Sequence, residues 1–224
     1  MQKVLSRLDV EGKNVGQFCC NNGRELLSLV KSGKVASGIG FNIAENQVAF
    51  ANQKAAELEL PCRFIAVNIY DIGDEYNNLF DVVIITIGAL CWFKDLKSYF
   101  EIVSKCMKTG SVIIINEQHP FENVLAATDE DVYDPTHPLD SKYSYFEHEW
   151  ISSDGMSYIT GKAYKSKTFT DYTHSLSEII SAMCSNSIAV TGMQEFDYDI
   201  GGNFEELDGQ RFPLSMILEG RKNL

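Results

Sequence analysis

Phe80-Asp81-Val82-Val83-Ile84-Ile85-Thr86-Ile87 has only one polar side chain, Thr86, after Asp81. An alternating strand would show a polar face to water, and this segment has none to show. Such a strand belongs in the middle of a parallel sheet covered by helices on both faces. Working outward, Leu96, Phe100, Val103 and Met107 recur at helical spacing and stop at Lys108-Thr109-Gly110, and Ser111 to Asn116 reads as a further buried strand. Upstream lie a strand at Asn14 to Cys19, another at Val35 to Ile39 and a third at Arg63 to Val67. Between them, Leu26, Leu29 and Val30 form one helical stripe, with Gly33 placed to cap its end, and Val48, Ala51, Ala55 and Leu58 form another. Asn42 and Glu45 have capping-box spacing ahead of the second helix. Five strands alternating with helices predict βαβ crossovers and a doubly wound, Rossmann-like α/β sheet.

The 224 residues, 45% hydrophobic and 22% charged, suit a single domain over 1–224. The expected insertion, 121–172, begins after Pro120 with an irregular, exposed, acidic stretch to residue 142. Tyr143 to Trp150 and Met156 to Thr170 then read as a hairpin turning at Asp154-Gly155. Ser175 to Glu178 is a second capping box, opening a helix with Leu176, Ile179, Ile180 and Met183, and Ile188 to Phe196 and Leu214 to Gly220 form a last antiparallel pair. No apolar run reaches the roughly 18 residues of a membrane span. Met1 to Gly12 shows no signal-peptide core, so a cytoplasmic location is expected.

The net charge of -12 disfavours nucleic acid and anionic membranes, because such partners are gripped through phosphate neutralisation. Lys162, Lys165 and Lys167 read as one solvated face of a strand. The six cysteines, at 19, 20, 62, 91, 106 and 184, have no metal-ligand spacing and read as free thiols, so no metal is expected.

In an open parallel sheet, ligands bind beyond the carboxyl ends of the strands. That rule selects the loops Cys20–Gly23, Phe41–Asn42, Asn68–Asp71, Gly88–Trp92 and Gln118–Pro120. The first runs straight into a helix, whose N-terminal N–H groups suit an anionic ligand group. A Gly-x-x-x-x-Gly-Lys-Ser/Thr loop is absent, and so is a Gly-x-Gly-x-x-Gly after the first strand. These absences argue against a P-loop enzyme and a dinucleotide-linked oxidoreductase.

The ordered set of loops resembles the class I S-adenosylmethionine-dependent methyltransferases. Val15 to Gly23 is similar to their first motif, Val35 to Asn42 to their second strand and its end, and Phe64 to Asp71 to their third. Phe80-Asp81 and Lys108 to Ser111 resemble the later motifs. Gly88 to Trp92, Glu117 to Pro120 and His174 to Glu178 are similar to a bacterial subgroup acting on small molecules. The resemblance runs from about residue 12 to the end and implies seven strands, the last antiparallel. It implies S-adenosylmethionine as cofactor, held at Gln17, Cys19, Asn21, Gly23, Gly40, Phe41, Asn68, Ile69, Ile87 and Gly88, with a small-molecule acceptor. Where the family has an acid and two glycines, this chain has Gln17, Cys19 and Asn21. The ribose-binding acid is expected at Gly40 and the adenine-binding one at Asn68. A second reading is an eroded relative with a binding role.

His119, at the end of the fifth strand, is the expected general base, and Glu117 is expected either to orient it or to line the acceptor site. His174 reads as a helix-entry residue, and His137 and His148 as surface. Trp92 and Phe93 wall a pocket or pack the core. The aromatic hairpin, with Tyr143, Tyr145, Phe146, Trp150, Tyr158 and Tyr164, is expected either to cap the site or to form a homodimer surface.

Overall fold

A computed structural model describes residues 10–146, 148–156 and 163–223. Its regular elements are β1 (Asn14–Phe18), α1 (Arg24–Lys31), β2 (Ser37–Asn42), α2 (Glu45–Glu57), β3 (Cys62–Ala66), β4 (Phe80–Thr86) and α3 (Leu96–Cys106). They continue with β5 (Met107–Gln118), β6 (His148–Met156), β7 (Ala163–Thr173), α4 (Leu176–Ser185), β8 (Ile188–Phe196) and β9 (Ser215–Lys222). Seven strands form one sheet in the order β3-β2-β1-β4-β5-β9-β8. β1 to β5 are mutually parallel, and β9 runs antiparallel between β5 and β8. Two crossovers therefore lead from β1 through β2 to β3 at one sheet edge and the next returns past β1 to β4, which places the reversal of strand order between β1 and β4.

β4 occupies the middle and is buried as its composition requires. Val82 and Ile84 pack with Leu26, Leu27 and Val30 of α1 and Val48, Ala51 and Ala55 of α2. Val83 and Ile85 point the other way, into Tyr99, Phe100 and Val103 of α3 and Ile179 and Met183 of α4. One apolar strand thus belongs to both cores of a three-layer α/β/α molecule. At about 1.5–3 kcal/mol for each fully buried aliphatic side chain, these four residues alone outweigh any single polar contact in the sheet. Among the described residues, no helix is long and apolar enough to cross a membrane.

Most element boundaries lie within two residues of the sequence reading, and the differences have local causes. Gly33 follows α1 with φ 73°, as a helix-ending glycine does. Ser175 and Glu178 form the expected reciprocal cap on α4. Asn42 does not cap α2; it is still the last residue of β2, and its Oδ1 accepts the Ile43 N–H while Ala44 stands at the helix start without a side-chain cap. Leu58 leaves the buried stripe because it lies past the last turn of α2.

β6 and β7 form a separate two-stranded sheet. Asp154 and Gly155 lie within its ladder, opposite Lys165 and Tyr164, so they are not the turn. A register shift between Ser152 and Asp154 absorbs the irregularity there, and the ladder continues past it. Tyr158 and Lys162 lie outside the described residues. The stretch after Pro120 is irregular but only partly exposed: Leu125 packs with Phe204, Leu207 and Leu214 in a small third core. Cys184 is exposed, and all six cysteines are free.

Gly23 is doubly constrained. Its φ is 75°, and a Cβ there would stand 2.5 Å from Phe64 Cε1 and 3.0 Å from Ala51 Cβ. Gly23→Ala is expected to lower unfolding free energy by about 2–5 kcal/mol, adding left-handed backbone cost to overpacking. Urea denaturation of wild type and variant checks this; a loss under 1 kcal/mol would mean the α1–β3 contact is loose.

Candidate active site

Because β1 to β5 point the same way, their carboxyl ends converge on one edge of the sheet. The first loop there has left-handed backbone at alternate residues: φ is 57° at Cys19, 48° at Asn21 and 75° at Gly23. This is the conformation that glycine adopts freely, and Asn tolerates it better than most residues. Cys19 has no such excuse and holds the geometry at a cost on the order of 1 kcal/mol. The loop is pinned by Cys20 N–H donating to Phe41 O at 2.9 Å and Gly23 N–H donating to Cys20 O at 2.8 Å. Gln17 lies beneath it, fully buried, its Nε2 donating to Thr86 Oγ1 at 3.1 Å.

At β2 the structure corrects the expected site. Gly40 lies inside the strand, where a Cβ would meet Phe64 Cδ1 at 2.5 Å and Cys20 Sγ at 2.8 Å. No side chain can reach a ligand from there. The strand ends two residues later at Asn42, on the same pleat face, whose Nδ2 donates to Asn21 O at 3.3 Å across to the first loop. Phe41 and Ile69 also point inward, buried with Phe18 and Phe80, so their side chains support the edge from below. Asn68 is exposed at the end of β3, its Oδ1 accepting the Tyr70 N–H at 3.2 Å. Ile87 is exposed at the end of β4, and Gly88 turns the chain with φ 73°.

Glu117 shapes that turn. Its two carboxylate oxygens accept the N–H groups of Gly88 at 2.6 Å, Ala89 at 3.0 Å and Leu90 at 3.4 Å, and that of Gln118 at 3.1 Å. Burial raises its pKa while these four donors oppose the rise. Every strong acceptor direction is therefore spent on backbone, and Glu117 is a loop anchor rather than a proton carrier.

His119 does not present the free base expected of it. Its Nδ1 accepts the Phe121 N–H at 3.2 Å, and its Nε2 lies 3.0 Å from Glu195 Oε1. With Nδ1 serving as acceptor, the proton of the neutral ring sits on Nε2, which is buried near Glu195 but makes no hydrogen bond among the described residues. Burial lowers its pKa, against the pull of Glu195, so no ring lone pair remains for a substrate. Next to it, Glu122 is buried against Asp199 and Gln118, and desolvation together with the Asp199 carboxylate pushes its pKa up to about 9.

The insertion roofs this end. Phe169 of β7 packs edge-on to Trp92, with ring centroids 5.6 Å apart, and Lys94 pairs with Glu149 of β6. His174 Nε2 meets Phe93 O at 2.8 Å, and the Tyr145 hydroxyl accepts the Leu176 N–H at 3.0 Å. Phe93 is core, stacked on Tyr99, whereas Trp92 is 46% exposed. Between roof and sheet edge is a cavity of about 70 Å³, bounded by Gly88, Cys91, Glu117, His119, Tyr172 and His174. Desolvation pushes the thiols of Cys19 and Cys20 up to about 12 and that of Cys91 well above its ordinary value. None is a thiolate near neutrality.

Sequence reasoning included Asn42 only as part of the Phe41–Asn42 loop and put the ribose-facing position at Gly40, two residues earlier on the same face. It also missed Glu122 and Glu195. For Glu195, 76 residues from His119, no local signal exists.

This arrangement, a doubly wound sheet with a left-handed first loop and a site at the carboxyl edge, defines a methyltransferase-type α/β domain. Residues 10–152 match the family described as "Methyltransferase domain", and the chain belongs to that family. The fold is shared with a candidate S-adenosylmethionine-dependent methyltransferase from Listeria monocytogenes at TM-score 0.74 and 16% identity, covering 100% of this chain and 97% of that one. An S-adenosylmethionine-dependent methyltransferase from Methanosarcina mazei gives 0.69 and 12%, covering 100% and 98%. Geranyl diphosphate C-methyltransferase from Streptomyces coelicolor A3(2) gives 0.63 and 13%, covering 99% and 76%. No curated protein matches the chain.

Two outcomes are expected from the buried acids. Glu117→Gln puts an amide N–H₂ where a carboxylate oxygen accepted N–H groups, and should cost about 2 kcal/mol or more in denaturant unfolding. Glu122, with a folded pKa near 9 against an ordinary 4.5, contributes stability that is fully present below pH 4.5 and lost as pH rises toward 9. Glu122→Gln should therefore flatten the melting temperature between those limits and exceed wild type at pH 9; parallel curves for the two proteins would remove the buried acid from the pH dependence.

Proposed function

We propose that this chain is an S-adenosylmethionine-dependent methyltransferase acting on a small-molecule acceptor. The observation that carries the reading is the first loop. Cys19, Asn21 and Gly23 reproduce a triple-glycine backbone path without two of the glycines. Cys19 adopts left-handed backbone that an L side chain rarely takes, and we read the path as serving what it faces. The residues present fit the cofactor in kind. The loop at the N-terminus of α1 offers backbone N–H groups, Asn42 and Asn68 offer amides at the ends of β2 and β3, and the exposed Ile43 and Ile87 offer apolar surface. Asn42 takes the ribose-facing role that the resemblance had put at Gly40.

When bound, S-adenosylmethionine supplies a methyl group on a sulfonium, and the protein's work is then largely alignment. Glu117 holds Gly88 to Leu90 in place beside the cavity. Tyr172, at the end of the insertion, and His174, just beyond it, close the cavity from above, and this contact supports the cap reading of 121–172. Lys and Arg are absent from the cavity's lining among the described residues, which suits an acceptor group that is neutral or cationic where it enters. His119 acts here as a neutral positioning residue, fixing Phe121 and the start of the roof.

A second reading, a methyltransferase-family protein with a binding role, rests on the amides at 17, 42 and 68, which leave the strand ends without a carboxylate. Calorimetric titration with S-adenosylmethionine and S-adenosylhomocysteine separates the two. Saturable binding below about a millimolar is expected, with Asn42→Ala and Asn68→Ala each weakening it roughly 2- to 12-fold, the range of one neutral hydrogen bond. No heat from a cooperatively melting protein would leave the binding-role reading standing.

A further inference from the structure

The opposite edge of the sheet holds a second and larger cavity, of about 350 Å³, which no step above uses. It is lined by Lys13, Asp81, Lys108, Thr109, Ser111 and Arg221. The topology brings these together from distant parts of the chain. Lys13 immediately precedes β1, Asp81 opens β4, Lys108 to Ser111 lie in the first half of β5, and Arg221 sits near the end of antiparallel β9, opposite Val112. They therefore cluster at the amino ends of the parallel strands, the full length of the sheet away from the candidate active site.

Three cations around one carboxylate is an unexpected balance in a chain of net charge -12. The carboxylate is already committed. Asp81 Oδ1 accepts from Lys108 Nζ at 2.8 Å and Oδ2 from the Asn14 N–H at 3.0 Å. Burial of Asp81 works against its charge, yet Lys108, the Asn14 N–H and Lys13 hold its carboxyl below the ordinary value. Lys13 and Arg221 remain in excess. Arg221 donates one N–H to Gly110 O at 2.7 Å, leaving most of its five donors unspent there. The second, independent observation is Ser111: its residue is 6% exposed, and its Oγ is buried without a hydrogen-bond partner among the described residues. Buried hydroxyls are rarely left so. Gly110, between Thr109 and Ser111, has open space where its Cβ would stand.

We propose that this cavity is an anion site for the phosphate group of a small phosphorylated molecule. Its donors reach in from β1, β5 and β9, with two hydroxyls beside an ammonium and a guanidinium. Approach from several directions suits a tetrahedral oxyanion better than a planar carboxylate. The volume falls at the lower end of small-ligand pockets, with room for more than the phosphate alone. The acidic remainder of the surface repels long polyanions and anionic bilayers, whereas a small dianion senses mainly the charges within a Debye length of about 8–10 Å.

The probe is inorganic phosphate, titrated against wild type with ionic strength matched by chloride. We expect a saturable rise in melting temperature, with amide resonances of Thr109, Gly110 and Ser111 shifting while those of Asn21 and Gly88 stay fixed. Lys13→Gln, whose side chain makes no hydrogen bond or ion pair among the described residues, and Arg221→Gln should each weaken binding roughly tenfold or more while melting cooperatively in chloride. A response equal to that of chloride, one unchanged in Lys13→Gln, or resonance shifts confined to the Asn21 and Gly88 loops would each overturn the proposal.

Discussion

Burial of β4 on both faces is the constraint from which the rest of the molecule follows. A strand with no polar face cannot border water, so Val82 and Ile84 need one layer of helices and Val83 and Ile85 need another. Helices on both faces require crossovers between parallel strands, and parallel strands bring their carboxyl ends to a single edge. The place of the site is a consequence of that geometry. The amino-end cavity is its counterpart, because the same alignment gathers the opposite strand ends together.

At the carboxyl edge, stability and chemistry compete for the same atoms. Glu117 and His119 stand where catalytic groups would stand, and both are consumed in holding loops. Glu117 gathers four N–H groups, and His119 accepts the Phe121 N–H beside Glu195. Besides backbone and apolar surface, the cavity is then faced by Cys91, Tyr172 and His174.

The sheet class, the alternation of its strands with helices and the capping box at Ser175 were legible because each is a local pattern of periodicity or spacing. The Asp154-Gly155 turn signal was outvoted by ladder pairing with β7, and the Asn42–Glu45 cap by the extension of β2. Gly40 and Asn42 show how narrow the margin is. Both lie on one face of β2 and differ by a single pleat, yet one is filled by Phe64 and the other reaches the first loop. A register of two residues is invisible until the neighbouring strand and its helix are in place.

By itself, the sequence determined the fold class, the sheet edge that carries the site and the loops that build it. These depend on hydrophobic periodicity and on backbone preferences, which are properties of consecutive residues. Tertiary structure alone decided which side chains in those loops are free. Neighbours such as Glu195 beside His119, or the Gly88 loop bonded to Glu117, come from residues far apart in the chain. Nor could the sequence place Lys13, Lys108, Ser111 and Arg221 around one cavity, because only the packed sheet brings the ends of β1, β5 and β9 together.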